Sequence, residues 1–92
     1  MNNRNAEARR AATRLRDALE KIETTGSTVL AVIWAGQKLI VMVDKPPAFV
    51  RGAMKSRQVA ANAVHQTFAA PFHGVQLEWI ISTPIVQAVG HA

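Results

Sequence analysis

Residues 27–43 read STVLAVIWAGQKLIVMV, seventeen positions carrying a single charge, that of Lys38. Runs so rich in β-branched and apolar side chains predict strands. Gly36, within Ala35-Gly36-Gln37-Lys38, supplies the positive φ that a tight hairpin turn requires. The segment is therefore expected to form a β-hairpin, with strands over 27–35 and 38–43. Its first strand is apolar on both faces, Leu30, Val32 and Trp34 alternating with Val29, Ala31 and Ile33. A strand of that kind needs cover above and below. One face can take a helix of the same chain, and the other calls for a partner.

The helix is found upstream. From Asn5 to Glu23 the apolar residues Ala8, Ala11, Ala12, Leu15, Ala18, Leu19 and Ile22 recur at i, i+3, i+4 and i+7, the spacing of one helical face. Gly26 is a suitable C-cap, so the helix is expected to stop at residues 24–26. Further on, Pro46 and Pro47 end the second strand, because proline cannot donate to a ladder. Residues 53–70 are alanine-rich, and Ala60, Ala63, Val64, Thr67 and Phe68 can share a helical face before Pro71. This favours a second helix. The competing reading is a strand over residues 65–72 that turns at His73-Gly74, an analogue of the Asn-Gly hairpin signal. Val75, Leu77, Trp79 and Ile81 alternate with Gln76, Glu78 and Ile80, a last strand with one wetter face. The expectation is one small α+β domain over residues 1–92: N-terminal helix, hairpin, second helix or further hairpin, and C-terminal strand, on an antiparallel sheet of three or four strands.

With 92 residues and no cysteine, the chain lacks disulfides and thiolate metal sites, and cytoplasm is the expected compartment. No run reaches the ~18 apolar residues that would span a bilayer, and the Arg-rich start is not followed by a signal-peptide core. His65, His73 and His91 are too dispersed in sequence for a metal site. The acids Glu7, Asp17, Glu20 and Glu23 lie on the first helix, where solvated ion pairs account for them, leaving Asp44 and Glu78. Phosphate-loop, dinucleotide-binding and nucleophile-elbow motifs are missing. We therefore expect neither an enzyme nor a bound cofactor or metal.

What remains is charge and apolar surplus. Eleven Lys and Arg against six Asp and Glu give a formal charge of +5, which attracts anionic partners. Arg9, Arg10, Arg14 and Arg16 line the helix, and Arg51, Lys55 and Arg57 form a second group. Together with Trp34, a tryptophan near a hairpin tip, they are the candidate contacts for a protein or a nucleic acid. The tail brings Ile85, Val86 and Val89, an apolar stretch that suits a homodimer interface.

The order WAGQKLIVMVDKPP, then RGAM, then FHGVQLEW resembles short proteins encoded by tailed bacteriophages and prophages. The resemblance covers Trp34 to Trp79. It implies a phage setting and favours the hairpin at His73-Gly74, and it transfers no catalytic or binding residue. On these grounds the expected function is stoichiometric binding to a host protein assembly, as an inhibitor, anti-defence factor or regulator would act. The alternative is a basic dimer that holds nucleic acid through phosphates without strong sequence readout, since no base-reading motif occurs.

Overall fold

A computed structural model of the chain describes residues 3–85. A helix α1 (Asn3–Glu23) precedes five strands, β1 (Val29–Ala35), β2 (Lys38–Val43), β3 (Ala53–Val59), β4 (Ala63–Phe72) and β5 (Val75–Pro84). They form one sheet in the order β1-β2-β5-β4-β3, antiparallel except where β5 runs parallel to β2. The α+β class holds. The second helix, the strand count and the wholly antiparallel sheet are corrected: residues 53–70 hold β3, a turn and most of β4.

Why alanine-rich sequence becomes strand is clear from the faces. Phe68, Ala70 and Phe72 stand opposite Trp79, Leu77 and Val75, so period 2, not 3.6, puts the apolar side chains of β4 on the core. Alanine's helix preference is worth only a few tenths of a kcal/mol per residue and yields to this burial. The turn that closes the pair is His73-Gly74, with φ of 46° and 82°. Two successive left-handed residues define a type I′ turn, whose twist matches that of the flanking strands. Pro71 is tolerated because its ring nitrogen, in a non-hydrogen-bonded pair with Gln76, is directed away from β5. On that side β3 has already ended, its last partner being Ala69.

The hairpin β1–β2 forms as expected, with Gly36 at φ 61° in the first central position of its two-residue loop, where a II′-type turn needs glycine. Its open end is tied by Asp44, whose Oδ1 accepts the Thr28 N–H at 2.7 Å while its own N–H donates to the Thr28 carbonyl at 3.0 Å. The first hydrogen bond, with help from Lys45, holds the Asp44 carboxyl below its ordinary value.

Among the described residues the helix covers one face of the sheet. Ala11, Ala18 and Ile22 of α1 are buried against Leu39, Val41 and Val43 of β2 and Val75, Leu77 and Trp79 of β5. Residues such as Ile22, Val41 and Leu77, each burying its whole side chain, contribute about 1.5–3 kcal/mol apiece. The connection from Asp44 to Gly52 crosses the same face, bringing Gly52 onto the indole of Trp79 and delivering the chain to the far edge. Among the described residues no helix crosses the opposite face, which carries Ile33, Ile40, Met42 and Ile80. Past Trp79, β5 continues with β4 and β3 as an arm where Ile80 and Ile81, on opposite faces, are 48% and 46% exposed. The molecule is accordingly long, 69 × 28 × 19 Å.

Candidate functional site

The helix and the β1–β2 tip enclose a cleft of about 340 Å³ lined by Glu7, Arg10, Arg14, Trp34, Gly36 and Gln37. Residues 7, 10 and 14 share one flank of α1 because 3.6 residues make a turn. This flank borders the buried stripe Ala11, Ala18 and Ile22. Trp34 enters from β1, opposite Leu39. Gly36 lines it from the turn, where a φ of 61° and not a close contact calls for glycine.

Arg14 is positioned by its stem. A Cβ built on Gly74 would lie 2.8 Å from Arg14 Cδ, so the aliphatic part of Arg14 rests on the bare backbone of the β4–β5 turn. Burying the stem and leaving the head wet is how arginine behaves at an apolar margin. Among the described residues the guanidinium groups of Arg10 and Arg14 have no ion pair or hydrogen bond. The Glu7 carboxylate lines the same cleft without a salt bridge to either, leaving a net positive mouth. Trp34 is 42% exposed and does double service. Its other side lines an apolar groove of about 240 Å³ with Ala8, Ala11, Ala12, Leu15, Val32 and Leu39. Thus one indole separates a cationic cleft from an apolar groove.

Of the residues expected to contact a partner, Arg10, Arg14 and Trp34 are brought together. The others are not. Arg9 and Arg16 are exposed on the outer side of α1, whereas Arg10 and Arg14 flank the buried stripe. Arg51 and Arg57 are exposed across the sheet, before and within β3. Lys55 is engaged: its Nζ lies 2.8 Å from Oε2 of Glu78, which also accepts from Gln76 Nε2 at 2.6 Å. Glu78 is only 5% exposed and points to the helix-free face, so this pair closes over an acid that the strand alternation had placed on a wetter side. Ile85, at the end of the arm, donates its N–H to the Asn62 carbonyl at 3.0 Å. Val86 and Val89 lie outside the described residues.

His65 Nδ1 is 2.7 Å from Ser82 Oγ across the β4–β5 ladder, and His73 meets the Phe72 ring edge-on. Among the described residues no three His, Asp or Glu side chains converge as a metal site would need. No helix among them is long and apolar enough to cross a membrane. Sequence reasoning missed Glu7, Gly36 and Gln37 as cleft residues and Gly74 as the seat of Arg14. Only the signal for a hairpin tip at Gly36 pointed that way.

No protein-family model matches the chain, and no curated protein and no solved structure is significantly similar to it.

Proposed function

We propose that the protein acts by binding and not by turnover, and that the Arg10–Arg14–Trp34 cleft takes an acidic, partly apolar segment of a partner protein. The observation that carries this reading is the pair of guanidinium groups without partners among the described residues, set beside a half-exposed indole. Arginine and tryptophan are the residue types in which interface energy concentrates. A carboxylate would meet the arginines through charge-assisted hydrogen bonds, and a neighbouring apolar side chain would lie on the far side of Trp34. In the phage setting that the sequence resemblance suggests, the partner is a host protein assembly and the effect is stoichiometric.

A nucleic-acid reading draws on the exposed Arg9, Arg16, Arg51 and Arg57. It is the weaker one, because these cations are scattered over α1 and the β3 side, and the gathered pair shares its cleft with Glu7. The two readings separate by titration with a short peptide alternating Asp or Glu with Leu and Phe, alongside single-stranded and duplex DNA. The peptide should bind, and Arg10→Ala with Arg14→Ala should weaken it about tenfold or more, given about 1.5–3 kcal/mol for a hydrogen bond to a charged group. Peptide binding that ignores the substitutions, or DNA binding at physiological salt with a steep salt slope, would reject the proposal.

A further inference from the structure

The two edges of the sheet are built differently. At one edge β3, AMKSRQV, carries Lys55 and Arg57 and a register irregularity between Met54 and Ser56. Charges and bulges are how natural sheets prevent another chain from adding to an edge. At the other edge β1, VLAVIWA, has no charge and no proline over seven residues, and its one irregularity falls at its start, between Val29 and Ala31. Leu30, Val32, Ile33 and Trp34 are all exposed there. An edge so unprotected is a template for a further strand.

We infer that two copies of this chain join through β1, antiparallel and about a two-fold axis at Val32, to give a continuous ten-stranded sheet. The inference is argued from the β1 edge and not from what the cleft binds, although Trp34 belongs to both surfaces. Val32 is the midpoint of Val29–Ala35, so antiparallel pairing about it sets it against itself and Ala31 against Ile33 of the second copy, beyond the irregularity at Leu30. The backbone parity agrees. The two-residue loop makes Ala35–Lys38 the hydrogen-bonded closing pair, so the non-hydrogen-bonded pairs Trp34–Leu39 and Val32–Val41 leave the N–H and C=O of Trp34 and Val32 facing the open edge. With Val32 on the axis, those groups meet their own counterparts.

Charge supplies the second argument, and it names a second copy as the occupant. Arg9, Arg16, Glu20 and Glu23 are exposed and recur at helical spacing on one stripe of α1, beside the Ala8–Ala12–Leu15 side that faces the groove over Val32. The stripe is basic in its N-terminal half and acidic in its C-terminal half. A two-fold axis normal to the sheet keeps both helices on one face and runs them antiparallel. Arg9 and Arg16 then lie on the outer shoulder of α1, alongside the acidic half of the second copy's stripe, Glu20 and Glu23. The small side chains of Ala8 and Ala12 leave room for the approach. A chain of +5 would otherwise repel its copy.

The absence of native cysteine makes cross-linking a clean test. Hydrogen-bonded antiparallel partners have Cα atoms about 5.5 Å apart, inside the roughly 4.4–6.8 Å that a disulfide spans. Under mild oxidation Val32→Cys should give a covalent dimer, and Val59→Cys, on the protected edge, should not. Native protein should sediment as a dimer at tens of micromolar, and Val32→Pro, which removes an outward N–H without touching the β1–β2 ladder, should weaken association about tenfold or more. Should that variant unfold, Arg9→Glu with Arg16→Glu is the alternative: it should weaken the dimer, and adding Glu20→Arg with Glu23→Arg should restore it. A strictly monomeric native protein, or cross-linking at Val59 and not at Val32, would overturn the inference.

Discussion

Adding one methyl group at Gly52 should reveal how tightly the crossing connection is seated on the sheet. A Cβ there would lie 2.4 Å from Cη2 and 2.7 Å from Cζ2 of Trp79, with the Ala69 carbonyl oxygen at 3.0 Å. Ordinary carbon contacts are about 3.5–4.0 Å, so the indole or the connection must move by more than an ångström. The indole cannot move cheaply: it is 4% exposed and stacks on Phe68 with centroids 6.1 Å apart. Overpacking of this kind costs about 1–3 kcal/mol, from a total of about 5–14 kcal/mol for a chain of this length. Each kcal/mol is worth roughly 4–8 °C of Tm in a domain this small. Gly52→Ala should therefore lower Tm by roughly 8–16 °C at a mid-range cost of about 2 kcal/mol. Trp79→Phe removes the ring atoms that the methyl would strike and leaves a void of its own, costing about 1–2 kcal/mol as a partial large-to-small change. In the double variant the methyl enters that void, so urea unfolding should show a loss smaller than the sum of the two by about 1 kcal/mol or more. Additive losses would mean that the connection does not lie on Trp79.

Replacing Lys55 with Met leaves the nearly buried Glu78 without its cation, and chemical denaturation should show a loss of about 1–3 kcal/mol that Glu78→Gln in the same chain largely recovers. Gly74→Ala meets both a φ of 82° and the stem of Arg14; calorimetry should report about 1–2 kcal/mol of strain, and the acidic test peptide should bind more weakly because Arg14 has lost its seat. The Asp44 carboxyl, lowered chiefly by the Thr28 N–H, should titrate below its ordinary 3.8 in an NMR pH series. Because its folded value is depressed, its contribution is fully present above that ordinary value and is lost as pH falls through the folded one. Asp44→Asn should remove this acid sensitivity.

Much of the fold can be read from local signals. Ala11, Ala18 and Ile22 announce the buried stripe of α1, Gly36 the first hairpin, and His73-Gly74 the second, because each depends on near neighbours in sequence. Residues 53–70 defeat such reading. Alanine belongs to either structure, and what decides between them is Phe68 against Trp79 and Ala70 against Leu77, contacts that exist only once β5 is in place. The parallel placement of β5 beside β2 likewise depends on where the connection from Asp44 to Gly52 lands. Of the candidate site, residue types were legible and their grouping was not. Arg9, Arg10, Arg14 and Arg16 look alike in sequence; which two reach Trp34 is set by how α1 lies over the hairpin tip. The pairing of Lys55 with Glu78, twenty-three residues apart, follows from strand register and has no local sign.

The central claim, that the Arg10–Arg14–Trp34 cleft is where a partner binds, is tested most directly by following the two indole N–H resonances during titration with the acidic–apolar peptide. Trp34 lines the cleft and Trp79 is buried beneath the crossing connection. The Trp34 signal should shift with saturation while that of Trp79 stays in place, and Arg10→Ala with Arg14→Ala should abolish the shift at the same peptide concentration. A peptide that saturates the protein without moving Trp34, or that moves it equally in the substituted chain, would contradict the account.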